Sequence, residues 1–130
     1  MRTVIIGGGA CGASAAARIR RLDESAEIIV LEKTGEISIA NCGLPYYTSG
    51  VINDREKMLV SSPEKFREWF SINVKLNTEV ININPDEKFV ETADGEKINY
   101  NKLVLAQGAK PFVPPIEGIA EQKVFTVRTI

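Results

Sequence analysis

The spacing Gly7-x-Gly9-x-x-Gly12, set between "TVII" and "ACGASAAARIRRL", constrains this chain more than any other feature. Thr3 to Ile6 is a short β-branched apolar run and reads as a buried strand. Gly7-Gly8-Gly9 breaks it. Ala10 to Leu22 follows, rich in Ala and Arg, with Ala13, Ala16, Ala17 and Ile19 at helical spacing. Ala26 to Leu31 is a second apolar run. Strand, glycine turn, helix and strand make a βαβ unit, with parallel strands and a right-handed crossover.

Each glycine of the pattern has a separate task. The first permits a tight turn, the second lets backbone approach a pyrophosphate, and the third lets helix and strand pack closely. The phosphates of a dinucleotide then meet the positive end of the helix. Glu32 stands 20 residues after Gly12, at the end of the second strand, where its carboxylate can accept hydrogen bonds from both ribose hydroxyls of an adenosine. A second negative group at that ribose would be repelled, which argues against a 2′-phosphate. The pattern itself leaves NAD and FAD open.

The rest of the chain changes character. In "SSPEKFREWF", Ser61 or Ser62 can cap a helix whose first turn holds Pro63, and Phe66, Trp69 and Phe70 are expected on one face. Val74 to Ile83 alternates in part, and "NPDE" is a turn. Lys88 to Thr92 and Lys97 to Tyr100 flank Asp94-Gly95, a strong hairpin signal. These strands form a small antiparallel meander beside the parallel sheet, so the class is α/β. Leu103 to Ala106 reads as another buried strand, turning at Gly108. "KPFVPPIEG" is an extended link, and Lys123 to Arg128 reads as a final strand. A chain stopping in a strand is expected to be part of a longer protein.

Composition excludes several classes. Sixteen basic residues against 17 acidic ones leave a net charge of −1, which gives no footing for nucleic acid or an anionic membrane surface. No apolar run approaches the roughly 18 residues that span a bilayer, and "MRTVIIGGG" is no signal peptide. Two cysteines, Cys11 and Cys42, are too few for a disulfide framework, and with no histidine a metal site is not expected. The cytoplasm is the expected compartment.

Cys42 falls in "ISIANCGLPYYTSG". Taken alone it has two readings. It is a small apolar side chain in a core, or a thiol at the start of a helix over Gly43 to Thr48, where free N–H groups and the helix dipole favour thiolate. Here a resemblance enters. "VIIGGGACGASAAARIRRLDESAEIIVLEK", the string Asn41-Cys42-Gly43-Leu44-Pro45-Tyr46 and the later "LVLAQGAKP" resemble the single-cysteine flavoprotein disulfide reductases, in particular coenzyme A disulfide and persulfide reductases. The resemblance covers essentially the whole chain. It implies FAD held by Gly7, Gly9, Ala10, Gly12, Glu32 and Lys33, with Val80 and the turn Ala106 to Gly108 completing the contacts. It implies Cys42 as the redox nucleophile, passing electrons from NAD(P)H through FAD to a disulfide. Relatives of the glutathione-reductase type carry a second cysteine a few residues on; "CGLPYYTSG" has none, so the resolving sulfur comes from the substrate or a small thiol. Cys11, beside the glycine turn, is expected to pack as a small side chain.

The same resemblance implies that Ser14, Arg18, Arg21, Ser38 and Asn41 contact coenzyme A, although Arg18 and Arg21 also suit a plain solvated face. The family's lysine for coenzyme A aligns near Phe70, which cannot donate a hydrogen bond; Lys65 or Arg67 is the nearest substitute. Gln107 replaces the commoner Thr or Pro. Ala10 stands where peroxide- and oxygen-reducing relatives carry a histidine. The implied whole is a homodimer with an NAD(P)H-binding domain and a dimerisation domain, both outside this chain, which is then residues 1–130 of a split FAD-binding domain. The alternatives are an NADH oxidase or peroxidase of the same family, and a non-catalytic dinucleotide-binding module in which Cys42 is structural.

Overall fold

The computed structural model describes residues 1–119 and 123–130. The chain forms two compact units, one of Met1–Ile39 with Leu59–Gly108, the other of Ala40–Met58 with Ala109–Ile130.

The first unit is built on a four-stranded parallel sheet. Its strands are β1 (Arg2–Ile6), β2 (Glu27–Leu31), β3 (Asn73–Lys75) and, numbered in chain order, β7 (Lys102–Leu105). Their order across the sheet is β3-β2-β1-β7. Helix α1 (Ala10–Leu22) joins β1 to β2, as the apolar pattern predicts. The chain enters the sheet at its middle, moves one way to β2 and β3, then returns to the other side of β1 as β7. The reversal between β1 and β7 is a topological switch point, where the carboxyl ends of parallel strands open a crevice.

Alternation along β1 divides the core in two. Ile5 joins Ile28, Val30, Ala13, Ala16 and Phe66 on the helical side. Val4 and Ile6 join Ile29, Leu31, Val90 and Ile98 on the other. That second layer is the antiparallel meander of β4 (Val80–Asn84), β5 (Phe89–Thr92) and β6 (Lys97–Asn99), in the order β4-β5-β6. Fully burying an aliphatic side chain of this size is worth about 1.5–3 kcal/mol, and Ile5, Ile28, Leu31 and Val90 are all essentially inaccessible. Gly95 takes a φ of +87°, the left-handed geometry its hairpin turn requires.

Helix α3 (Pro63–Phe70) starts at Ser62, whose hydroxyl accepts from the Lys65 N–H, so Ser62 rather than Ser61 is the cap. Arg20 at the end of α1 donates to the carbonyls of Phe70 (2.7 Å) and Ser71 (2.9 Å), tying the C-terminal ends of the two helices together.

Four expectations need correction. Trp69 does not share the buried face of Phe66 and Phe70; it is 69% exposed and lies beside Lys65, one turn earlier on its own row. The strand after Val74 divides, with Asn73–Lys75 pairing parallel to β2 and only Val80–Asn84 entering the meander. β7 is only half-buried, with Leu105 exposed, because it forms the edge of the sheet. Lys123 to Arg128 is irregular rather than a strand, and Arg128 donates to the Ala109 carbonyl. In the second unit a short 3₁₀ turn, Asn41–Gly43, precedes helix α2 (Leu44–Thr48).

Candidate functional site

The crevice at the strand ends is real. A cavity of about 430 Å³ opens beside Gly7, Leu31, Glu32, Lys33, Val80 and Gln107. Thr78 and Glu79 also reach it, so the approach to β4 forms one wall. Gly7, Glu32, Lys33 and Val80 of the expected cofactor residues therefore meet at one place. The Ala106 N–H donates to the Ile6 carbonyl, which carries the turn after β7 alongside the turn after β1.

The glycines divide their work as the spacing requires. Gly7 has a φ of +102° and faces the Ala106 carbonyl oxygen, which a β-carbon there would approach to 2.3 Å. Nothing lies within 4 Å of the corresponding position on Gly9, so the backbone there is open to a ligand. Gly12 is buried against the Gly7 backbone. No side chain caps α1, and no acidic residue sits in its first turn. Its first N–H groups thus remain available to an anion. Ala10 is exposed at the first position of that helix, and Gly108 turns with a φ of +72°.

Glu32 is held more tightly than the sequence disclosed. Its Oε2 accepts from the Gly8 N–H at 2.6 Å. Its Oε1 accepts from both the N–H and the hydroxyl of Thr34, each at 2.9 Å. A carboxylate offers about four acceptor sites, so most of its capacity is already engaged. Gly8 matters for the same reason, since a β-carbon there would come within 2.9 Å of Ile37 and 3.3 Å of Glu32 Oε2. Thr34 was invisible in sequence because a Thr in a loop after a strand carries no pattern.

Ser14, Arg18 and Arg21 are exposed and follow one face of α1 at helical spacing. Ser38 belongs to the same unit; its N–H donates to the Gly8 carbonyl at 2.9 Å and it adopts a left-handed φ of +58°. Asn41 and Cys42 belong to the second unit, both exposed. Cys42 lies inside the 3₁₀ turn rather than directly before a long helix. Gly43 beside it is buried, and a β-carbon there would meet the Met58 sulfur at 3.0 Å. Cys11 is exposed on the first turn of α1, beside the turn where the expected cofactor would lie. Phe70 is half-buried against the helical core, while Lys65 and Arg67 point to solvent. No cluster of three or more metal-ligating side chains occurs among the described residues.

Residues 1–130 match the pyridine nucleotide-disulphide oxidoreductases. The chain belongs to that family. It is 37% identical to an NADH oxidase of Methanocaldococcus jannaschii, over the whole chain and 30% of the relative. It is 44% identical to an NAD(P)H sulfur oxidoreductase (CoA-dependent) of Pyrococcus abyssi, over 95% of the chain and 28% of the relative. Coenzyme A disulfide reductases of staphylococci are relatives as well. The crystal structure of reduced Bacillus anthracis CoADR-RHD superposes with a TM-score of 0.88 at 45% identity, covering 99% of this chain and 24% of that one. The chain thus spans less than a third of the length of the relatives it matches. The fold, a parallel sheet with a separate antiparallel layer, is the one its sequence predicts.

Proposed function

We propose that this chain is the N-terminal part of a split FAD-binding domain in an NAD(P)H-dependent reductase of disulfides or persulfides, coenzyme A derivatives among them. The observation that carries the sulfur chemistry is the exposure of Cys42 on the Asn41–Gly43 turn. A thiol that must meet a substrate cannot be buried, and although Cys11 is exposed as well, only Cys42 lies in the string Asn41-Cys42-Gly43-Leu44-Pro45-Tyr46 that resembles the disulfide reductases.

The first unit fits FAD. Gly9 leaves open backbone, α1 presents an uncapped N-terminus, and Glu32 offers a fixed carboxylate at the mouth of a cavity. Bound FAD would supply two-electron exchange between nicotinamide and sulfur. The protein's part is to bind and to react at Cys42. As a thiolate, Cys42 Sγ attacks one sulfur of the substrate disulfide. The new Cys42–substrate S–S bond forms as the substrate's own S–S bond breaks, and the other half leaves as thiolate. Restoring Cys42 takes two electrons, with NAD(P)H as their source. Ser14, Arg18, Arg21, Ser38 and Asn41 are the residues we assign to the coenzyme A moiety, the arginines to its phosphates. The remainder of the full-length protein is read as carrying the nicotinamide-binding and dimerisation domains. Among the described residues no helix is long and apolar enough to cross a membrane. Two exposed, unpaired cysteines suit the reducing cytoplasm.

The name of the Methanocaldococcus jannaschii relative favours a second reading, NADH oxidation with oxygen or peroxide as acceptor. Against it stands Ala10 where a histidine would serve, in a chain with no histidine. Purified full-length protein decides both points. Its absorption spectrum should be that of a flavoprotein, and kcat/KM should be larger for coenzyme A disulfide or persulfide than for hydrogen peroxide. The reverse ranking would overturn the substrate assignment.

A further inference from the structure

The geometry assigns Thr34 as a positioning residue for Glu32, an inference that rests on the FAD reading above. Thr34 reaches one oxygen of the carboxylate twice, through its N–H and its hydroxyl, both at 2.9 Å to Oε1. The Gly8 N–H holds the other oxygen. Three donors from two directions fix both the plane and the rotation of the carboxylate. Of about four acceptor sites on a carboxylate, three are then filled, and the remaining one lies on Oε2, the oxygen shared with the glycine turn. A ribose hydroxyl consequently has one preferred place to donate, next to Gly8. This narrows the expectation that Glu32 serves both ribose hydroxyls equally. The second hydroxyl can reach Oε1 only by displacing the Thr34 hydroxyl, and that displacement has a ready outlet. The Thr34 hydroxyl carries a single proton, and the Glu36 carbonyl lies 3.0 Å away as its second acceptor. In either arrangement the Thr34 N–H keeps Oε1 in place.

Thr34 does not line the cavity, so its effect on the ligand passes through Glu32. That makes the assignment testable by coupling rather than by loss alone. FAD affinity of the full-length apoprotein is measured by quenching of flavin fluorescence for wild type, Thr34→Val, Thr34→Ser, Glu32→Ala and the Glu32→Ala/Thr34→Val double variant. Valine keeps the branched shape and the N–H but removes the hydroxyl. Thr34→Val should weaken binding about 3–10-fold, less than the loss of a whole hydrogen bond to a charged group because the effect reaches the ligand only through Glu32, and Thr34→Ser should restore it. In the Glu32→Ala background, Thr34→Val should have no further effect, because nothing remains to be positioned. If Thr34→Val weakens binding equally in both backgrounds, or not at all while Glu32→Ala does, Thr34 has no positioning role and the FAD reading stands. If wild type fails to bind FAD, or Glu32→Ala binds it as tightly as wild type, the reading of Glu32 fails and this inference with it.

Discussion

The carbonyl oxygen of Gly7 closes over Gly12 so tightly that a β-carbon at position 12 would lie 1.8 Å from it. Two glycines, one opening the turn after β1 and one in the first turn of α1, are thereby in backbone contact. Ile5 closes the same space from below, at 3.3 Å. Neither neighbour is a flexible side-chain tip, so the contact leaves no room to adjust.

Gly12→Ala should therefore force α1 away from β1. Overpacking a close contact typically costs about 1–3 kcal/mol, and here the displaced element also carries the open N-terminus. A lowered urea midpoint is expected, together with weakened FAD binding. Gly9→Ala, whose β-carbon meets nothing within 4 Å, should leave stability nearly unchanged and weaken FAD binding only. Equal melting curves for Gly12→Ala and wild type would show that the contact relaxes more easily than this geometry allows.

The two cysteines should separate cleanly in turnover. Cys42→Ser exchanges a sulfur nucleophile for a hydroxyl that stays protonated near neutrality and cannot form a mixed disulfide. Disulfide reduction by the full-length protein should fall to background while FAD binding persists. Cys11→Ala should keep nearly full activity, since its exposed side chain has no part in the proposed exchange. Full activity in Cys42→Ser would leave that residue without a redox role.

Asp94 provides a pH readout for the meander that backs the cavity. A hydrogen bond from the Thr92 hydroxyl, aided by backbone N–H groups, holds the Asp94 carboxyl below its usual range. The folded-state value lies below the unfolded one. The associated stabilisation is therefore present above the ordinary carboxylate range and disappears as pH falls through the depressed value. Thr92→Val should move the Asp94 titration upward, followed by its carboxyl carbon shift in NMR. The stability gap between variant and wild type should shrink in acid. A gap that stays constant from neutral to strongly acid pH would assign the effect of Thr92→Val to packing of this fully buried side chain.

The parts of the fold that were legible are those where local pattern and tertiary role agree. The glycine spacing, the Ala-rich helix and two β-branched runs announce the βαβ unit because each buries a continuous apolar face. Asp94-Gly95 announces its hairpin because the turn demands a left-handed residue. Asn73–Lys75 was hidden because three residues cannot establish a period, and pairing with β2 alone makes them a strand. Trp69 was misplaced because bulk and spacing do not reveal which of two adjacent rows on a helix meets the core; the row of Phe66 and Phe70 does. Gly7 and Glu32, which fixed spacing singles out and which line one cavity, were legible, whereas Thr34 and Gly8 act through hydrogen bonds that only the folded chain creates.

The flank of β1 formed by β7 bears on how the protein is made. Thr3 to Ile6 pairs on one side with Ile28 to Leu31 and on the other with Lys102 to Leu105. During synthesis the first partner emerges early, but the second follows only after the whole meander. Until then the ribosome-bound chain presents β1 as an open edge of Val and Ile, a surface that pairs readily with other chains. Nor is the lining of the pocket complete at that stage, because Gln107 is not yet in place. The hazardous interval ends only when Lys102 to Leu105 docks on β1.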